Sequence, residues 1–285
     1  MSTQRFLPDN GRPDDPFEID TSVAHPARRY NYWLGGRDNF EADRISGDAI
    51  AATFPTIKTA ALENRSFLRR AVTYLVEEAG VRQFLDIGTG IPSADNVHEV
   101  AQSVAPDTRV VYVDNDPIVL AHARRLLAGS PRGATAYVHA DLREPNVIFG
   151  HPDLRRTLDL SQPVALMLIA VLHFFVDAAD PYGHIARLVQ ALPPGSYFAA
   201  THATADFMPS AITDEVVETA VRRESARSRD PGTFRDRAAF ERFFDGMTLV
   251  PPGIAPVSDW RNEVPPGERP SAADTMSYGA VARLP

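Results

Sequence analysis

The 285-residue chain contains no cysteine, so disulfides, thiolate nucleophiles and cysteine-ligated zinc or iron–sulfur centres are excluded. Lysine is almost missing as well. Of the 29 basic residues only Lys58 is a lysine, which leaves no P-loop or Schiff-base lysine in the core of the chain. Long apolar runs are also lacking, since the longest, 164–176, is broken by His173 and is too short to span a bilayer. The first twenty residues have no apolar stretch of the signal-peptide kind, and a soluble cytoplasmic protein is expected. The motifs G-x-S-x-G, H-E-x-x-H and the P-loop are absent, which removes the common hydrolase and kinase readings. A formal charge of −8 argues against nucleic acid and anionic membranes as partners and favours a small-molecule substrate.

What is present reads as one α/β domain with an N-terminal appendage. Residues 1–20, with Pro8, Pro13 and Pro16, read as a flexible arm. A helical cap is expected over 21–80. In it, "PARRYNYWL" has proline in its first turn and stops at Gly35-Gly36, a short helix follows Asn39, and a long one covers 59–79 with Leu62, Leu68, Ala71, Val72, Leu75, Val76 and Ala79 on one face. From 81 to 285 strands and helices alternate. Strands are expected at 83–87, 109–113, 135–140, 164–171 and 197–201, with helices at 93–105, after Asp116, up to Leu160, and at 181–192. Two further helices at 212–229 and 234–244 precede strands in "MTLVPPGIAPV" and "SYGAVARL". Between those strands the Pro-rich stretch 258–276 reads as a loop of the lid or frayed-linker kind.

The stretch "FLDIGTGIP", 84–92, poses the functional question. Gly88 and Gly90 fit the first two positions of a dinucleotide-binding loop, but the third is Ser93 behind Pro92. Asp86 at the strand end and Asp95 in the first turn of the expected helix would repel a pyrophosphate. A ligand carrying ammonium and sulfonium groups suits these charges better, and S-adenosylmethionine is such a ligand. Asp86 would pair with its ammonium and Asp114, ending the second strand, would accept from its ribose hydroxyls. Asp141, past the third strand, would accept from its adenine amino group. Thr89, Asn115 and Leu142 adjoin these positions and belong to the same expected cofactor set. Plain helix capping is the competing reading for each aspartate. It also accounts for Asp116, so no metal site is expected from "DND" at 114–116 or from Asp177 and Asp180.

The segments "FLDIGTGIPSADNVHEVAQ", "VVYVDNDPIVLAHAR", "HADLREP" and "ALMLIAVLHFF" resemble the successive motifs of class I S-adenosylmethionine-dependent methyltransferases. More narrowly, "HPARRYNYWLGGRDNFEADR", "ENRSFLRRAV" and "PPGSYFAATHATAD" are similar to a bacterial family called S-adenosyl methyltransferase. The likeness runs from about residue 21 to the C-terminus. It implies a doubly wound Rossmann-like sheet in the order 3-2-1-4-5-7-6 with the last strand antiparallel, a helical cap, and S-adenosylmethionine as cofactor. It leaves the methyl acceptor open.

Beyond the cofactor, His173 and His202 follow the fourth and fifth strands, where a base for the acceptor's proton would lie. His173 is the candidate catalytic residue, and a backbone hydrogen bond at a strand end is the alternative for both. In the cap, Tyr30, Tyr32, Trp33 and Phe40 are either a lid over the site or ordinary packing. Tyr32, Arg37 and Asn39 are candidate contacts, and Arg65 is a candidate for the cofactor carboxylate. Two rival functions share the pattern: a nicotinamide-dependent oxidoreductase, disfavoured by the absent third glycine and by Asp86, and a non-catalytic S-adenosylmethionine-binding protein.

Overall fold

The apolar runs form strands that are buried on both faces, and the chain is described here by a computed structural model covering residues 3–5, 18–116, 118–119, 130–208 and 232–285. The strands are β1 (Gln83–Ile87), β2 (Arg109–Asp114), β3 (Ala134–His139), β4 (Ala165–Leu168), β5 (Tyr197–Ala203), β6 (Thr248–Leu249), β7 (Ala255–Pro256) and β8 (Ser277–Arg283). They form one sheet in the order β3-β2-β1-β4-β5-β8-β6, with the two-residue β7 paired to β8 off that path. Without β7 this is the expected 3-2-1-4-5-7-6. The first five strands run parallel, and β8 lies antiparallel to β5 from Ser277 opposite Ala203 to Arg283 opposite Tyr197.

Alternation along the strands divides the core in two. Phe84, Tyr112, Met167 and Val281 face α3 (Ile57–Glu77) and α4 (Val97–Val104), meeting Phe67, Leu68, Val72 and Val100. Leu85, Val111, Leu166 and Phe198 face the other way, onto α5 (Pro145–Gly150), α6 (Pro152–Thr157), α7 (Pro181–Gln190) and α8 (Arg237–Glu241) through Ile148, Leu154, Leu188 and Phe240. Both faces being covered explains why the central strands are uninterrupted hydrophobic runs.

The cap is α1 (Pro26–Trp33), α2 (Glu41–Thr53) and the first half of α3. Its centre is polar. Asp43, fully buried, accepts from the backbone N–H groups of His25 (2.9 Å) and Phe40 (2.8 Å) and pairs with buried Arg28 at 3.3 Å. Ahead of the cap, Thr3–Arg5 pairs antiparallel with Glu18–Asp20. No helix of the described residues is long and apolar enough to cross a membrane.

Several expectations need correction. On α3 the buried stripe runs through Ala61, Asn64, Leu68, Val72 and Leu75, so Leu62, one residue off that stripe, is 54% exposed, and Ala79 lies past the helix end. The helix after β1 begins at Val97, not Ser93. Asn96 caps it with Glu99 as the reciprocal partner, which leaves Asp95 outside in a left-handed turn of φ 60°. Strand β4 stops at Leu168 because Ala170 takes a φ of 59° and gives its N–H to the Thr201 hydroxyl at 2.8 Å. The helix expected over 234–244 is α8 followed by a tight turn at Arg242–Phe244, since Arg235 is drawn inward. The helix at 212–229, and most of the one after Asp116, lie outside the described residues.

The Pro-rich stretch is neither lid nor frayed linker. Trp260 is fully buried against Phe67 and Tyr74, at 5.2 and 6.1 Å between ring centroids. Arg70 of α3 clamps the stretch by donating to the carbonyls of Trp260 (2.9 Å) and Val257 (2.5 Å). It ends in a short capped helix, α9 (Ala272–Thr275). Trp260→Ala is expected to cost about 3–5 kcal/mol of stability, the range for truncating a buried large aromatic. Urea unfolding measures it, and a loss under about 1 kcal/mol would mean that this segment does not brace the fold.

Candidate active site

Parallel strands deliver their C-terminal ends to one edge of the sheet, and the loops there enclose a cavity of about 940 Å³. Asp86 reaches it from β1, where it sits opposite Tyr112 of β2 and Met167 of β4. It shares the sheet face of Phe84, turned toward α3, which carries Arg65. Burial pushes the Asp86 carboxyl up to about 7 against the attraction of Arg65, and the charge of Asp114 adds to the rise. Arg65 also lines the cavity and donates to the carbonyls of Ala94 (2.8 Å) and Asp95 (2.7 Å), fastening the glycine loop to the cap.

The loop leaves β1 through Gly88, whose N–H bonds the Val113 carbonyl at 2.8 Å. Gly88 has a φ of 76°, and a β-carbon there would lie 2.6 Å from a Val171 methyl, so only glycine fits. Gly90, with a φ of 66°, donates its N–H to Asp114 Oδ2 at 2.7 Å, and the Asp116 N–H takes Oδ1 at 2.9 Å. Each Asp114 oxygen keeps an accepting position beyond these bonds. Burial raises the Asp114 carboxyl, while these two amides pull it back. His25 Nδ1 meets Asp116 Oδ2 at 2.9 Å and ties the cap to the end of β2.

Of the sequence-predicted cofactor positions, Asp86, Gly88, Thr89, Gly90, Asp114 and Asn115 all line this cavity. Asp141 does not. Its carboxylate is held by the Arg143 side chain (2.8 and 2.5 Å) and backbone N–H (2.8 Å) and by Asn115 Nδ2 (3.2 Å), and its own burial only partly offsets their lowering of its pKa. Leu142 is buried in the core beside Ile148. From the cap, Tyr30 and Trp33 line the cavity, whereas Tyr32 bonds Asp48 through its hydroxyl, Arg37 is exposed, and Asn39 is bound to Asn31 and Gly36.

His173 and His202 face each other with ring centroids 6.1 Å apart. His202 is fully committed. The Arg235 guanidinium, which can only donate, gives Nη1–H to its Nε2 at 2.7 Å, so Nδ1 carries the proton and donates to the Ala203 carbonyl at 2.7 Å. Burial, then the neighbouring His173 and Arg235, push its pKa down to about 3. Arg235 itself is buried, bonds the Phe175 carbonyl (2.8 Å) and Asp177 (2.5 Å), and lies over the Tyr182 and Phe243 rings. His173 lines the cavity and keeps Nδ1 buried with no hydrogen-bond partner among the described residues, and burial together with Arg29 and Arg235 pushes its pKa down to about 4. His98 serves structure, its Nδ1 lying 2.7 Å from the Tyr112 hydroxyl.

A buried acid at the loop entrance, a second acid fixed by the loop itself, and bare glycine backbone between them suit a ligand with a cationic head and a diol. A family model described as S-adenosyl methyltransferase matches residues 13–285. The chain belongs to that family. It is an S-adenosylmethionine-dependent methyltransferase, and the nicotinamide and non-catalytic alternatives fall away. Among solved structures it is similar to a DUF574 family protein of Streptomyces avermitilis, 47% identical over 93% of this chain and 99% of that one, with a TM-score of 0.88. It is also similar to a candidate methyltransferase of Thermobifida fusca, 40% identical over 93% and 96% of the two chains, with a TM-score of 0.83. An O-methyltransferase family protein of Burkholderia thailandensis, 13% identical with a TM-score of 0.51 over 80% of this chain and 58% of that one, shares the fold. No curated protein matches the chain.

Sequence reasoning missed Arg29, Phe54, Arg235 and Phe234 of the methyltransferase site. Arg28-Arg29 inside an aromatic helix is the kind of signal that marks a buried cation, but nothing local marks Arg235.

The raised pKa of Asp86 has a sign that can be checked. The folded protein without ligand holds this proton more tightly than an unfolded chain, so this group makes stability fall as pH rises from about 4 to about 7. Asp86→Asn should therefore stabilise the ligand-free methyltransferase at about pH 8, by a few kcal/mol at most, and leave it unchanged near pH 4. Paired urea melts test this, and a variant less stable than the parent at the higher pH would show that the ionised carboxylate is already compensated.

Proposed function

We propose that Asp86, Gly88, Thr89, Gly90, Asp114 and Asn115 hold S-adenosylmethionine and that the methyl acceptor is a small molecule taken into the same cavity. The observation that carries this reading is the Gly90 N–H bond to Asp114, which fixes a carboxylate from β2 beside the bare loop that follows Asp86. Asp86 pairs with the cofactor ammonium, and that charge offsets the cost of burying the ionised carboxylate. Asp114 accepts from the ribose hydroxyls with its remaining lone pairs. Asp141 acts through Asn115, whose amide it holds, instead of touching the adenine. Bound there, the cofactor supplies a methyl group on a cationic sulfur that departs as a neutral thioether.

The protein's own contribution is placement, exclusion of water and a proton acceptor. Residues 21–80 act as the cap that closes the cavity through Tyr30 and Trp33, and residues 81–285 form the catalytic domain; most of the expected arm at 1–20 lies outside the described residues. His173 is the base, because its ring lines the cavity and its Nδ1 has no partner among the described residues, whereas His202 is spent on Arg235 and Ala203.

Calorimetric titration with S-adenosylmethionine, S-adenosylhomocysteine and NAD tests the site. Binding of the first two and not the third is expected, and Asp114→Ala should weaken both by roughly 2–3 kcal/mol, the scale of charge-assisted bonds lost at a buried carboxylate. Unchanged affinity in that variant would remove Asp114 from the ribose.

A further inference from the structure

The cavity lining includes an aromatic set whose chemistry the cofactor does not explain. It comprises Trp33, Phe54, Phe174, Phe175 and Phe234. Phe54 and Phe234 stand 6.2 Å apart in a tilted pair, and the His173 ring lies 4.2 Å from that of Phe174. Rings arranged in this way favour a flat aromatic occupant through stacked and edge contacts. The charged groups that bear on His173 are Arg29, which is buried and lines the cavity, and Arg235, which bonds His202 and pairs with Asp177.

Resting on the cofactor reading above, we propose that the acceptor is a planar aromatic compound methylated on a ring hydroxyl, with the His173 imidazole taking the hydroxyl proton. The cationic field selects against an acceptor that enters as an ammonium and favours one that becomes an anion. His173 is a weak base mainly because it is buried, with Arg29 and Arg235 adding to the effect, so only an acidic hydroxyl can pass its proton to it. A phenol, ionising near pH 10 in water, is such a group. An aliphatic alcohol, ionising close to water at about 16, is not. In the step, the hydroxyl O–H bond breaks and its proton passes to the His173 imidazole. An oxygen electron pair forms the new O–C bond to the methyl group, and the C–S bond breaks with its pair remaining on sulfur. A methyl ether, S-adenosylhomocysteine and protonated His173 result.

The test uses the full chain saturated with S-adenosylhomocysteine, whose own binding is measured first. Calorimetry then compares naphthol with naphthoate, naphthylmethylamine and saturated decahydronaphthol, and mass spectrometry with S-adenosylmethionine seeks the naphthyl methyl ether. Naphthol should bind at least about tenfold more tightly than decahydronaphthol, the scale of one to two aromatic contacts, and more tightly than naphthylmethylamine. His173→Gln should cut ether formation by about 100-fold, the usual contribution of a positioned base, while S-adenosylhomocysteine and naphthol affinities stay within about threefold. Equal binding of the saturated alcohol, preference for the amine, methylation of naphthoate without dependence on His173, or full activity in the variant would each overturn the proposal. Absence of naphthol binding where S-adenosylhomocysteine binds overturns it and leaves the cofactor reading standing. Absence of S-adenosylhomocysteine binding brings down the cofactor reading, and this inference with it.

Discussion

The structure around the active site depends on keeping a carboxylate, Asp86, in the interior of a parallel sheet. A buried acid without a dedicated cation is costly, and its pKa of about 7 records that cost. Arg65 of the cap is the cation whose field reaches it, and Arg65 is in turn held by the carbonyls of Ala94 and Asp95 in the loop that follows. The cap is therefore part of the site's electrostatics. Its own position is secured by polar contacts of the same kind, with Arg28 on Asp43 and His25 on Asp116. The proposed pairing of Asp86 with a cationic ligand would supply the missing charge and link cofactor binding to the stability of the sheet edge.

The histidine pair is organised by a cation. Arg235 is buried, reaches His202, Phe175 and Asp177 at once, and fixes the His202 tautomer. Together with Ala203 it thereby occupies both ring nitrogens of His202, whereas His173, which also lines the cavity, keeps Nδ1 without a partner among the described residues.

Much of the sheet was legible in the sequence because parallel strands covered on both faces must be continuous apolar runs, and those at 83–87, 109–114 and 197–203 stand out on that ground. Errors gathered where tertiary contacts override local pattern. Residues 169–171 are as apolar as the strand before them, yet the chain turns at Ala170 because Thr201 offers its N–H a partner and Val171 has to lie over Gly88. The Pro-rich stretch has a linker's composition, and a single residue, Trp260, makes it part of the core. Tyr32, Arg37 and Asn39 carried the right chemistry in the right segment. Helix geometry turned Tyr30 and Trp33 inward instead.

The sequence by itself determined the fold class, the strand order through the family it resembles, and the acids at successive strand ends beside a glycine turn. The fold class and the acids follow from periodicity and local spacing, the strand order from the resemblance alone. Tertiary structure alone decided that Asp141 turns to Arg143, that His202 is spent on Arg235, and that Arg29, Phe54 and Phe234 meet His173 across one cavity. Those residues lie far apart in the chain, and no local pattern states which side chains a long-range crossing brings within hydrogen-bond reach.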